Sequence, residues 1–176
     1  MKHIAKILMA AALAWPISVQ AQDEPKYVLL ARTCLREAGW EITDDCAAIH
    51  AVIVDRVDVT KVRYKRMIRA YSKPKASRAW VDTLTADAAM PADWPEEHPW
   101  SAYQSRWRAL MAHARSVLAN EVKPACRAHH WGDSGNDRKR ALRYGWTQVP
   151  CGDALNEFWV TKRACADDGP TQYALR

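Results

Sequence analysis

Five cysteines, Cys34, Cys46, Cys126, Cys151 and Cys165, all lie beyond residue 33 of a 176-residue chain that opens with the layout of an export signal. Lys2, His3 and Lys6 precede an apolar run from Ile7 to Ala14, followed by Pro16 and the small-residue site Val19-Gln20-Ala21. That order predicts a signal peptide over 1–21 and a single domain over 22–176, secreted into an oxidising compartment, the periplasm first of all, where thiols pair. The apolar run falls short of the about 20 residues that a membrane-spanning helix needs, so no stable membrane insertion is expected after cleavage. An odd number of cysteines leaves one unpaired within a monomer. Spacing favours two local bridges, Cys34 with Cys46 and Cys126 with Cys151, with Cys165 left over in a polar tail.

Loss of Lys2 and Lys6 would leave 24 basic against 20 acidic residues, lowering the formal charge from +6 to +4. A mildly basic chain of this length can bury one sizeable core. Its aromatic usage is lopsided, with nine Trp and a single Phe. Indole suits core packing, but its flat apolar face and N–H donor also suit sugar rings. Trp107 sits at helical spacing and reads as core, whereas Trp131, Trp146 and Trp159, set among glycines and polar residues, are candidates for lining a groove.

From Pro25 to Ala38 the apolar positions Tyr27, Leu30, Ala31, Cys34, Leu35 and Ala38 recur at helical intervals, between a proline start and the stop at Gly39. A second helix is expected after Thr43, Asp44 or Asp45 as cap, running to about Val57. The Cys34–Cys46 bridge would staple the two. Residues 61–78 hold eight basic residues and no acid, with Tyr64, Met67, Ile68 and Tyr71 at helical spacing. This predicts a short basic amphipathic helix, a solvated face over a core stripe. The acidic, proline-interrupted stretch from Asp82 to Pro99 reads as an irregular surface segment. A long helix should follow, opened by Ser101 and Gln104 in capping-box spacing. After Pro124, short segments around His130-Trp131-Gly132, Tyr144 to Val149 and Asn156 to Val160 read as strands or ordered loops. The fold class expected is mainly α (α+β), a helical domain with a small C-terminal β or irregular element.

One carboxylate stands out. Glu37 falls in the last turn of the first helix, with Gly39 and Trp40 immediately behind it. A helix C-terminus disfavours negative charge, and an adjacent indole excludes water, so this is a suitable place for a general acid. The plainer alternative is a solvated helical Glu, a C′ glycine, and Trp40 packed on Leu35. Cys126, His129, His130, Asp133 and Asp137 can all ligate, yet structural zinc motifs need two closely spaced ligand pairs. A polar turn is the better reading of Asp133 to Asp137, and neither metal nor other cofactor is expected.

These residues, in their order, resemble the bacterial cell-wall hydrolases of the spore-cortex-lytic type, which share a lysozyme-like, lytic-transglycosylase-like domain. Leu30-Ala31-Arg32 followed by Glu37-Ala38, and the apolar helix from Ala47 ending Val52-Ile53-Val54-Asp55-Arg56, resemble that family's Glu-Ala helix and its neighbour. Ala70-Tyr71-Ser72, His130-Trp131 and Asn156-Glu157-Phe158-Trp159 resemble its later elements. The family's fuller Glu-Ala-Arg-Gly-Glu signature is here Glu37-Ala38-Gly39-Trp40-Glu41, and Asp55 stands in place of Asn.

The resemblance implies a lysozyme-like fold over roughly residues 27–160 and a peptidoglycan glycan strand as partner. Glu37 would be the catalytic acid and base, in a lytic transglycosylase or a muramidase, and Tyr71, Ser72, His130, Trp131 and Trp40 would hold the sugars. Asp44, Asp45 and Asp133 are the candidates for a second carboxylate. No nucleic acid is expected as partner, and oligomeric state is left open. The rival expectation is a noncatalytic envelope protein that keeps the fold and binds glycan or a protein partner.

Overall fold

The computed structural model describes residues 24–72 and 76–161. The expected signal peptide and the spare Cys165 lie outside the described residues. The fold is mainly α with one small antiparallel sheet.

Helix α1, Lys26–Glu37, starts after Pro25, whose carbonyl accepts from Val28 N, and it buries Val28, Leu30, Ala31, Cys34 and Leu35. Ala38 caps it, and Gly39 turns the chain away at φ 90°. That left-handed conformation is one that a side chain resists, which is why glycine stands there. Helix α2, Asp44–Thr60, buries Cys46, Ala47, Ala48, Ile49, Val52 and Ile53 and runs a few residues past the expected end at Val57. Thr43 is its N-cap residue but makes no side-chain cap bond. The expected Cys34–Cys46 bridge joins α1 to α2. A second bridge, Cys126–Cys151, is also the one expected, and the two close loops of 12 and 25 residues. Loop-closure entropy makes each worth about 3 kcal/mol to the folded chain.

The basic segment forms α3, Tyr64–Tyr71, with Met67 and Ile68 buried and its cations outward. A 3-10 turn over Ala76–Thr83 leads into the acidic stretch, which differs from the expected surface segment. It is irregular, but Leu84, Ala88 and Trp94 are buried in it, as is Val81 in the turn before it. Helix α4, Trp100–Leu118, packs most extensively against α1 and buries Trp107, Leu110, Met111, Ala114 and Val117. The expected capping box is absent. Pro99 is the N-cap residue, Ser101 lies inside the helix, and Gln104 donates instead to Ala88 O at 2.9 Å.

Strands β1 (His130–Gly132), β2 (Thr147–Val149) and β3 (Glu157–Val160) pair antiparallel in the order β1-β3-β2. Central β3 is buried at all four positions, so Trp159 is core, 2% exposed, and does not line a groove. Trp131 on β1 is also buried in the core, 8% exposed, and of the three tryptophans expected at a groove Trp146 is the half-buried one. Helix α5, Asn136–Arg143, follows the polar turn after β1. Arg138 grips buried Glu157 in a two-pronged ion pair that ties α5 to β3.

Candidate functional site

Glu37 is the last residue of α1 and is half-buried. The Ser72 hydroxyl, at the end of α3 and 1% exposed, donates to Glu37 Oε1 at 2.5 Å. The main chain of Glu37 is held as well: Asn156 Nδ2 donates to its carbonyl at 3.4 Å. Asn156 is fixed in turn by Asp45, whose two oxygens accept from Asn156 N at 2.8 Å and Leu155 N at 2.7 Å. Asp45 is fully buried in the first turn of α2. With Asp44 Oδ2 accepting from Asp153 N at 3.0 Å, the start of α2 acts as a clamp on the loop before β3. The cystine Cys126–Cys151 closes that loop on its other side.

Beside Ser72, Tyr71 begins a run of rings. It stacks on Trp131 with centroids 5.2 Å apart and meets His130 at 5.6 Å. His130 lies face to face with Trp146 at 3.9 Å, and Tyr144 continues the stack. Arg56 braces the run, placing its guanidinium 5.8 Å over the Tyr71 ring and Nη2 2.8 Å from His130 Nε2. A guanidinium only donates, so Nε2 accepts and His130 carries its proton on Nδ1. Burial, then the charge of Arg56 and of His129, lower the imidazole's pKa to about 4. His130 is therefore neutral near pH 7, an apolar-faced ring and not a cation.

Glu37, Ser72, Tyr71, His130 and Trp131 thus form one continuous chain of contacts. Trp40 does not join it. Its ring stacks on Trp80 with centroids 5.8 Å apart and meets Trp94 and Tyr103 at 6.0 and 5.2 Å. These rings, with Leu35 and Gly39, line a pocket of about 290 Å³. A Cβ on Gly39 would meet nothing within 4 Å, so the backbone here leaves open space two residues after Glu37. Sequence reasoning placed Trp40 with Tyr71 and missed Trp80, Trp94 and Tyr103; the concentration of indoles in a proline-broken segment was the available signal.

The second-carboxylate candidates are otherwise engaged. Asp44 and Asp45 accept from backbone N–H groups of the clamp, and Asp133 Oδ1 accepts from Gly135 N at 2.7 Å within its own turn. Among the described residues no group of three or more His, Cys, Asp or Glu side chains is placed to hold a metal ion, and no helix is long and apolar enough to cross a membrane. Comparison with family models, curated proteins and solved structures finds no match. The site is one carboxyl at a helix end, hydrogen-bonded by a buried hydroxyl, beside a bank of flat rings.

Proposed function

We propose that the protein cleaves peptidoglycan glycan strands in the periplasm, with Glu37 as its general acid. The observation that carries this reading is the Ser72–Glu37 hydrogen bond at the foot of the Tyr71–Trp131 stack. Sugar rings present apolar C–H faces that settle on aromatic planes. A strand lying along the half-buried rings of Tyr71, His130 and Trp146, with buried Trp131 backing Tyr71, would bring a glycosidic oxygen towards the carboxyl that Ser72 orients. The two disulfides and the sequence of residues 1–21 support an exported protein.

Glycosidases ordinarily pair an acid with a second carboxylate across the sugar. Here Asp44, Asp45 and Asp133 each hold a backbone N–H, which favours a route that uses Glu37 alone. Glu37 gives its proton to the oxygen between N-acetylmuramic acid and N-acetylglucosamine, and the C–O bond breaks with the electron pair leaving on that oxygen. The ionised carboxylate then takes a proton from the muramyl 6-hydroxyl as that oxygen attacks the anomeric carbon. The product is a 1,6-anhydro end, whereas water in place of the 6-hydroxyl gives a reducing end. Neutral His130, fixed between Tyr71 and Trp146, adds a flat wall without competing for the proton.

Mass spectrometry of soluble products from sacculi, run with the wild type and Glu37→Gln, tests the reading. Anhydro-muramyl fragments that vanish in the variant are expected. Release of no fragments by folded, disulfide-intact protein across a range of pH would move the protein to the noncatalytic class.

A further inference from the structure

A recess of about 250 Å³ opens between α1 and α3, and its wall carries Arg32 and Arg36 from α1, Lys65 and Arg69 from α3, and Ser72. Each helix thus contributes two cations one turn apart on the same face. Like charges in that spacing destabilise a helix, so neither pair is there for the helix's sake. Glu24 pairs with Arg32 and Asp82 with Arg36. Among the described residues no acid pairs with Lys65 or Arg69, both of which are exposed. Four cations against two carboxylates leave the recess positive. Its two arginines also work against each other: burial first, and then the Arg32 charge, lower the pKa of Arg36. An anion entering here would relieve that repulsion. Ser72 connects the recess to the reaction centre, since its hydroxyl donates to Glu37.

We infer that this recess is a carboxylate subsite, which takes the acidic substituent of a muramyl residue while Glu37 acts on an adjoining bond. The inference rests on the glycan-cleavage reading for its substrate. Guanidinium groups recognise carboxylates through paired N–H donors. Arg32 already gives Nε and Nη2 to Leu84 O and Glu24, and Arg36 is paired with Asp82, so the exposed Lys65 and Arg69 are the cations that would meet the anion, at the mouth. Two carboxylates fit this chemistry, the lactyl group of the sugar itself and those of an attached peptide stem. A neutral N-acetylglucosamine oligomer has neither, so the recess would distinguish wall glycan from chitin-like chains. It also gives a use to Lys65 and Arg69, two of the eight cations in residues 61–78, which neither Glu37 nor the aromatic stack explains.

The test is an NMR-detected titration of the full protein with N-acetylmuramic acid, muramyl dipeptide, chitotetraose and inorganic phosphate, repeated on Lys65→Ala/Arg69→Ala and on Lys65→Glu. Both changes lie on the exposed face of α3. Loss of the two mouth cations should weaken the better of the two muramyl ligands about tenfold and leave chitotetraose unchanged. Whichever muramyl ligand loses more identifies the carboxylate as lactyl or peptidyl. Equal losses for chitotetraose, no loss for either muramyl ligand, or phosphate bound more tightly than both would overturn the subsite. Sacculus digestion in parallel separates the two readings. Carboxylate selectivity without fragment release upholds the subsite and overturns cleavage alone, whereas release without selectivity does the reverse.

Discussion

Asp45 and Glu37 stand on either side of the short connection between α1 and α2, and their surroundings are opposites. Asp45 opens a helix, where the unpaired N–H groups and the dipole favour a negative charge. It is fully buried, and both its oxygens are filled by backbone donors from Leu155 and Asn156. Glu37 closes a helix, where the dipole disfavours that charge; it is half-buried, and its carboxyl meets the hydroxyl of Ser72. A carboxylate whose acceptors are saturated by main chain is a fastener. One held by a single hydroxyl keeps acceptor positions open to a ligand, and that difference underlies the proposal made for Glu37.

The largest effect should come from Glu37→Gln. It should cut fragment release by about a thousandfold, the scale of lost general-acid catalysis, with the melting temperature unchanged. A clear fall in melting temperature would put Glu37 in the same class as Asp45 and break the contrast. Asp45→Ala should behave in the opposite way, destabilising the fold by about 3 kcal/mol because the backbone N–H groups of Leu155 and Asn156 both lose their charged acceptor. Urea unfolding reads that loss directly, and an unchanged midpoint would show the clamp to be decorative.

Acid should expose a further weak point in the same helix. His50 is fully buried in α2, and its Nε2 donates to Leu30 O at 2.8 Å. Burial lowers its pKa to about 3, the Leu30 bond works against that shift, and nearby His113 adds to it. The folded value lies below the ordinary imidazole value of 6.5, so unfolding takes up a proton. The neutral ring's contribution is therefore complete above about pH 6.5 and is lost as pH falls from there towards 3. Melting temperatures measured between pH 7 and pH 4 should fall more steeply for the wild type than for His50→Gln. Equal slopes would assign the acid sensitivity to other groups. The smallest effect is reserved for Ser72→Ala, which removes one orienting bond and should slow fragment release about tenfold. A loss as large as that of Glu37→Gln would show that the hydroxyl does more than orient.

Local pattern made the scaffold legible. The stripe from Tyr27 to Leu35, Pro25 before it and Gly39 after it are all read within one stretch of chain, and α1 follows them to within a residue. Both cystines could be chosen because their partners are near in sequence. Ser101 and Gln104 misled because capping-box spacing says nothing of a distant carbonyl, and Ala88 O claimed Gln104. Helix α5 was illegible because Ala141 is its one buried residue, so it has no apolar stripe. Trp159 was misplaced because β3, covered on both faces, has no alternation to show which side faces inward. Glu37 and Ser72 were associated through a family resemblance alone. The Asp45 clamp, the Arg56 brace on His130 and the Trp40–Trp80 stack join residues far apart in the chain and leave no periodic trace.

That clamp also sets when the site can come into being. Its two hydrogen bonds span 110 and 111 residues of chain, against the 12 of the cystine that staples α1 to α2. Contacts with such wide sequence separation form late, after the closure entropy of the intervening chain has been met. A nascent chain can wind α1 and α2 early, yet it has nothing to steady the Glu37 carbonyl until Leu155 and Asn156 have emerged. Truncation just short of Leu155 would leave most of the helical framework in place and the Glu37 end of α1 unanchored, so that synthesis itself withholds the finished arrangement almost to the end.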